Sequence, residues 1–96
     1  MNIEEFEQST QESEPRTDFS EQLKALWWDA NDHWEKAHDI AQDLDSKDGA
    51  WIHAYLHRKE GDLSNARYWY HQAGKATYEG PLQEEWRQLA SAFLQK

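Results

Sequence analysis

The sequence predicts an all-α protein of four to five antiparallel helices, and three observations support this prediction. Apolar residues recur at helical spacing in successive segments, no segment alternates apolar and polar residues as a strand does, and capping residues separate the segments. Ser20 is placed to cap the first helix, while Gly74 and Pro81 are placed to end one helix and begin the last. These boundaries define a single helical domain at residues 20–96.

The first half of this domain allows two interpretations. Ser20, followed by the acidic Glu21, begins a helix whose apolar residues continue at helical spacing. Asp32 is placed to cap a second helix, but one long bent helix over residues 20–45 explains the same pattern. In either case the polar stretch 43–49 is expected to form a loop.

The second half of the domain has clearer helix boundaries. Helices are predicted at about 50–60 and 63–74, and the Gly61-Asp62 pair forms the turn between them. A last helix is predicted at 81–95, because its apolar residues form one stripe at helical spacing.

Residues 1–19 differ in composition from the rest of the chain. Acidic residues outnumber the single basic residue, Arg16, and most of the segment has no apolar periodicity. Its main apolar residues are Ile3, Phe6 and Phe19, of which the first two could form a short docking motif. The segment is interpreted as a flexible acidic tail.

The charge of the chain limits its partners. The formal net charge is -9 and the sequence pI is about 4.8, with no basic patch. Binding to nucleic acid or to an anionic membrane surface is therefore not expected. No apolar run is long enough to span a bilayer, and the N-terminal residues lack the features of a signal peptide, so cytoplasmic residence is expected. Cysteine is absent, which excludes disulfides and thiolate metal sites.

Small and aromatic residues recur along two predicted helix pairs. Residues 50–74 contain the pattern Ala54, the Gly61-Asp62 turn, Ala66, Tyr70 and Ala73. Residues 21–45 contain a weaker copy with Ala25, Trp28, Trp34 and Ala37. The pattern resembles the tetratricopeptide repeat, in which small residues let the facing helix approach closely. The resemblance implies two helix pairs and a C-terminal capping helix, although Trp51 lies one position later than the family's usual tryptophan and the closing proline is displaced to Pro81.

A second resemblance covers residues 27–74. The Ala37-His38 pair and the segments 51–62 and 65–70 are similar to a family of small bacterial and fungal proteins with no assigned activity. This resemblance implies a common fold.

Two histidines of the third predicted helix suggest a metal site. His53 and His57 are four residues apart, so their imidazoles lie on the same helix face and could hold one metal ion. The candidates for a third ligand are His38, Asp39 and Glu60.

The same histidines have a simpler interpretation. The zinc-protease motif requires Glu directly after its first histidine, but Ala54 follows His53, so that mechanism is not supported. The repeat pattern places both His53 and His57 in the core between helices. Neutral buried histidines hydrogen-bonded to Asn65, Gln42 or a backbone carbonyl would give the same sequence.

Polar residues gather around the turn that follows these histidines. Arg58 and Asp62 are spaced for an i,i+4 ion pair, and either Asp62 or Ser64 is placed to cap the next helix. The simpler interpretation is that Arg58, Glu60, Asp62 and Asn65 stabilise the turn. The alternative is a charged pocket with His57 as general base and Glu60 as the group that orients it, but a nucleophile is lacking.

The chain is rich in aromatic residues, which make up 14% of the sequence and include six tryptophans. Adjacent residues on a helix, such as Trp27 and Trp28, point about 100° apart, so the rings cannot all face one small core. The candidates for an aromatic groove or subunit interface are Trp27, Trp28, Trp51, Tyr55 and Trp69, with core packing as the alternative.

These features favour a non-enzymatic protein-interaction module that binds a protein partner or associates with itself as a homodimer. Two alternatives stay open. One is a histidine-centred metal-binding or hydrolytic site at His38, His53 and His57. The other is a small-molecule pocket lined by Trp51, Tyr55 and Trp69. No cofactor is predicted apart from this metal ion.

Overall fold

The chain folds into six α-helices and no strand in the computed structural model, which describes residues 1–96. The helices are α1 (Ile3–Ser9), α2 (Glu21–Ala30), α3 (Trp34–Asp43), α4 (Lys47–Lys59), α5 (Leu63–Ala73) and α6 (Leu82–Leu94). The predicted all-α class is confirmed, with one helix more than the upper predicted number. Because α2 and α3 are separate helices, residues 20–45 do not form one bent helix. None of the helices combines the length and the apolar character needed to cross a bilayer.

Three residues predicted to lie at helix ends have the capping contact or the backbone conformation expected of them. The Ser20 hydroxyl accepts a hydrogen bond from the Leu23 N–H at 3.2 Å, and the Asp62 carboxylate accepts one from the Asn65 N–H at 3.4 Å. Gly74 ends α5 in the left-handed conformation, with a φ of 71°. These contacts satisfy backbone groups that have no partner within the helix.

The turn between α2 and α3 differs from the prediction. Asp32 does not cap α3; it adopts the left-handed conformation, with a φ of 64°, and its N–H donates to the Asp29 carbonyl at 3.0 Å. The N–H of His33 donates back to the Trp28 carbonyl at 2.9 Å. Asp is one of the few residues that tolerate the left-handed region, so this residue ends α2 rather than beginning α3.

Residues 1–19 do not form a flexible tail in the structure, because α1 packs against α6. The Phe6 side chain is 0% exposed. Its ring centroid lies 5.5 Å from that of Trp86 and 5.3 Å from that of Phe19. The apolar residues of this acidic segment thus bury themselves against distant parts of the chain, which its composition alone does not indicate.

The main core lies where α1, α2, α4 and α6 meet, and two indole N–H groups form hydrogen bonds inside it. The Trp27 indole N–H donates to the Ser9 carbonyl at 2.9 Å, and the Trp86 indole N–H donates to the Leu26 carbonyl at 3.0 Å. The first acceptor belongs to the last residue of α1, and the second belongs to α2. Each large ring is therefore buried with its polar atom satisfied.

Two buried carboxylates also connect helices. The Asp29 carboxylate accepts a hydrogen bond from the Tyr55 hydroxyl at 2.7 Å. The Glu85 carboxylate accepts one from Arg58 Nε at 2.9 Å and another from the Tyr70 hydroxyl. Burial, together with the adjacent carboxylate, raises the pKa of both tyrosines above the ordinary value. These hydroxyls therefore stay protonated and act as donors.

Helix α4 packs against both α3 and α5, and this arrangement positions the candidate site. The close approach of α4 to the end of α3 requires a glycine. A Cβ atom on Gly49 would lie 2.2 Å from the Leu44 carbonyl oxygen and 2.8 Å from that of Ala41. No other residue fits there without displacing the backbone.

Candidate functional site

Three histidines converge between α3 and α4. His38 projects from α3, and His53 and His57 project from one face of α4 because they are four residues apart. The Nε2 atoms of His38 and His53 are 3.0 Å apart. One ring nitrogen from each of the three residues lies within 4.8 Å of the other two. The structure therefore brings together the three candidates for a metal site, one of them from another helix.

Glu60 fixes the orientation of the third ring. It follows α4, and its Oε1 atom lies 2.6 Å from Nδ1 of His57. Because a carboxylate only accepts hydrogen bonds, Nδ1 carries the hydrogen, and in the neutral ring Nε2 presents its lone pair. The Asn65 amide nitrogen lies 3.5 Å from this Nε2 atom. Sequence reasoning named both residues, and the structure places both beside His57.

Two tryptophans hold the other imidazoles in place. The Trp34 ring stacks on His38 with centroids 4.9 Å apart and an interplanar angle of 15°. The Trp69 ring stacks on His53 at 4.2 Å and 10°. The Trp34 indole N–H donates to the Leu56 carbonyl at 2.9 Å, which ties that ring to α4. The site is thus enclosed by flat aromatic faces that limit ring rotation.

The environment of the cluster favours the neutral form of two of its imidazoles, His38 and His53. The pKa of His53 is lowered to about 4, chiefly by burial and in addition by the neighbouring His38 and His57. Burial, and then the proximity of His57, also lowers the pKa of His38. Neutral imidazole is the form that binds a metal ion. At pH 7 these two side chains therefore need no proton release before they coordinate.

A cavity of about 750 Å³ opens beside the histidines, and all three of them line it. Its volume lies within the range of small-molecule sites. The remaining lining is largely polar and comes from α3, the start of α4, and α5. The polar residues that line it are Gln42, Asp45, Ser46, Lys47, Asn65 and Gln72.

One residue predicted at this site lies elsewhere. The Arg58 side chain turns towards α6, where its Nε pairs with Glu85, and it does not pair with Asp62 as predicted. The i,i+4 spacing gave the wrong partner because a buried carboxylate on a distant helix competes for the guanidinium. Glu85 is 1% exposed, and a buried carboxylate without a cation is strongly destabilising, so the guanidinium pairs with Glu85.

The five aromatic residues proposed for a groove or interface lie in separate places. Trp27 and Tyr55 are buried in the main core. Trp28 and Trp51 are partly buried, and a lysine ammonium lies over each ring, at 4.0 and 4.2 Å from the centroid. Only Trp69 belongs to the histidine cavity. These rings therefore do not form one common groove or pocket.

The sequence reasoning did not assign Trp34 or Gln72 to the site. Trp34 precedes His38 by four residues, so the helical spacing could have identified it as a ring stacked on that histidine. Gln72 is three residues beyond Trp69 and shares its face of α5. No comparable sequence signal brings the α5 residues to the same cavity as α3, because their proximity depends on the packing of both helices against α4.

Comparisons with protein-family models, with curated proteins and with solved structures find no match to this chain.

Proposed function

We propose that this protein binds a divalent transition-metal ion, with His38, His53 and His57 as its three protein ligands. The observation that carries the proposal is the convergence of three imidazole nitrogens within 4.8 Å. Imidazole nitrogens are preferred ligands of zinc, copper, nickel and iron. Zinc is the ion proposed, since three histidines form one of its established ligand sets in proteins.

The spacing of the nitrogens supports this assignment. Zinc–nitrogen bonds of about 2.0–2.1 Å at tetrahedral angles place two ligand nitrogens about 3.3 Å apart. The Nε2 atoms of His38 and His53 are 3.0 Å apart, so a shift of a few tenths of an ångström would accommodate the ion. In the metal-free protein an Nε2–H group of one ring donating to Nε2 of the other accounts for this separation, and that hydrogen would move to Nδ1 of its ring when both Nε2 atoms bind the ion.

Glu60 is proposed to orient one of the three ligands without binding the ion itself. Its hydrogen bond to Nδ1 of His57 leaves Nε2 as the ligand atom and increases the basicity of the ring. Carboxylate–histidine–metal arrangements of this kind recur in zinc proteins, and loss of the outer carboxylate typically weakens metal binding by about 10–100-fold.

Isothermal titration with zinc, together with the metal content of protein purified without chelators, tests the proposal. We expect one ion per chain in the wild type, loss of stoichiometric binding in His53→Gln, and binding about 10–100-fold weaker in Glu60→Gln. His71→Gln is the matched control, because His71 is exposed on α5 outside the cluster. Equal zinc binding by the wild type and His53→Gln would overturn the proposal. His53 and His57 would then be interpreted as hydrogen-bonded core histidines.

The interaction-module hypothesis stays a prediction. Met1, Leu63 and Tyr68 are the exposed large apolar residues, and the last two lie on different faces of α5. The tetratricopeptide-like character of the pairs α2–α3 and α4–α5 is also a proposal, supported by the packing of each pair across a short turn. Sedimentation velocity over a range of concentrations tests self-association, which a constant monomer mass would contradict.

A further inference from the structure

The histidine cluster supplies only three ligands. The side chains that converge on it are His38, His53 and His57, and no fourth His, Cys, Asp or Glu belongs to the group. Glu60 is held on the outer nitrogen of His57, on the opposite edge of that ring from Nε2. A tetrahedral ion bound here would therefore keep one coordination position that the protein does not fill.

The histidine cluster is reachable from outside. All three histidines line the cavity of about 750 Å³, so the cluster forms part of its wall and not a sealed core site. Closed four-ligand zinc sites are structural, whereas sites with three protein ligands and an open position bind a water molecule that reacts with substrate. The arrangement of the cavity and the cluster corresponds to the second type.

We propose that this site is a hydrolytic centre for an ester or amide bond of a small polar molecule, an inference that rests on the metal binding proposed above. A zinc ion held by His38, His53 and His57 would lower the pKa of a bound water molecule, so that hydroxide is available at neutral pH once a proton has passed to solvent. Attack of this hydroxide on the carbonyl carbon would form a C–O bond while the carbonyl π electron pair moves to oxygen. Return of that pair would break the bond to the alcohol or amine, which takes a proton from solvent, and the carboxylic acid product would lose its proton to solvent.

The lining of the cavity defines the class of substrate. Apart from the histidines, hydrogen-bonding side chains without charge contribute most of its polar groups, including Gln42, Asn65 and Gln72. Lys47 and Asp45 add one charge of each sign, so the lining selects neither an anion nor a cation. Gln42 and Gln72 are exposed, and Asn65 is half-buried. An apolar substrate would cover these amide groups and leave them without hydrogen-bond partners. A neutral or zwitterionic molecule with several polar groups is complementary to this surface.

Cobalt substitution tests the open position without relying on catalysis. Co²⁺ bound by three histidines and water gives a visible spectrum that changes when an added anion replaces the water. We expect azide to change this spectrum in the wild type and in His71→Gln. An intact one-to-one Co²⁺ complex whose spectrum does not respond to azide would overturn the hydrolytic inference while leaving metal binding established.

Turnover is measured with two p-nitrophenyl esters of equal size, the methoxyacetate and the butyrate. In the zinc-loaded wild type we expect hydrolysis at least about 10-fold faster than in His53→Gln given the same zinc, with a rate that rises to a plateau through an apparent pKa near 7. No difference between these proteins, with zinc bound to the wild type, would overturn the inference.

The pair of esters also tests the substrate class. After correction for their hydroxide-catalysed rates, we expect kcat/KM to favour the methoxyacetate by about 5-fold, the factor that one hydrogen bond supplies. Gln72→Leu should reduce that preference without changing the Co²⁺ spectrum, because Gln72 lines the cavity and is not a ligand. Equal or inverse preference in the wild type would contradict the polar substrate class.

Discussion

Phe6→Ala tests whether the N-terminal segment is part of the folded domain. The substitution removes a ring that is 0% exposed and that packs on Phe19 and Trp86. Truncating a buried phenylalanine costs about 3–5 kcal/mol, to which aromatic pairs of this geometry contribute about 0.5–1.5 kcal/mol each. The loss of unfolding free energy has an upper limit, because α1 detaches from the domain if the substitution costs more than its packing contributes.

The detachment itself has a cost that the structure makes specific. If α1 leaves, the Trp27 indole N–H loses its acceptor on Ser9, and one face of Trp86 loses its cover. A buried donor without a partner costs about 1–3 kcal/mol unless water reaches it. We therefore expect the free energy of unfolding to fall by about 3 kcal/mol in Phe6→Ala.

Urea denaturation followed by far-ultraviolet circular dichroism measures this change. Gln8→Ala is the matched control, since Gln8 is exposed on the same helix and its loss should change stability by less than about 0.5 kcal/mol. If Phe6→Ala were as stable as Gln8→Ala, α1 would not be docked in solution. The flexible acidic tail predicted from composition would then be the correct description of residues 1–19.

Three further outcomes are expected from urea denaturation. In metal-free protein, His53 takes up a proton in the unfolded chain near its ordinary pKa of 6.5 but in the folded chain only near 4. The contribution of His53 to stability should therefore be complete above pH 6.5 and fall by at most about 3 kcal/mol as the pH drops to 4, whereas His53→Gln should lack this pH-dependent change. Gly49→Ala should cost about 3 kcal/mol or more, because its Cβ would meet the Leu44 carbonyl oxygen; a cost below about 1 kcal/mol would contradict this close approach. Arg58→Met should cost about 3–5 kcal/mol, since it leaves the buried Glu85 carboxylate without its cation; unchanged stability would show that solvent reaches Glu85.

The helix ends that capping residues determine could be predicted from the sequence. Ser20, Asp62 and Gly74 act within a few residues of themselves, and each lies at the helix end that the sequence predicts. The i,i+4 spacing of His53 and His57 likewise implies a shared helix face. Sequence reasoning could therefore propose both the second half of the domain and the core of the candidate site.

The remaining features depend on contacts between distant segments. Helix α1 has only seven residues, too few for helical propensity to be informative, and its order comes from Phe6 against α6. The partner of Arg58 lies 27 residues away on α6, so local spacing pointed to the wrong carboxylate. His38 could be named as a ligand candidate, but the packing of α3 on α4 was needed to place it beside His53.

The two tryptophans stacked on the histidines give the protein a built-in optical reporter. Trp34 lies 4.9 Å from His38, and Trp69 lies 4.2 Å from His53, between ring centroids. A paramagnetic ion such as Cu²⁺ held by these imidazoles would quench the fluorescence of both indoles at such short range. Occupancy of the site can therefore be followed in unlabelled protein by fluorescence, at concentrations far below those that calorimetry requires.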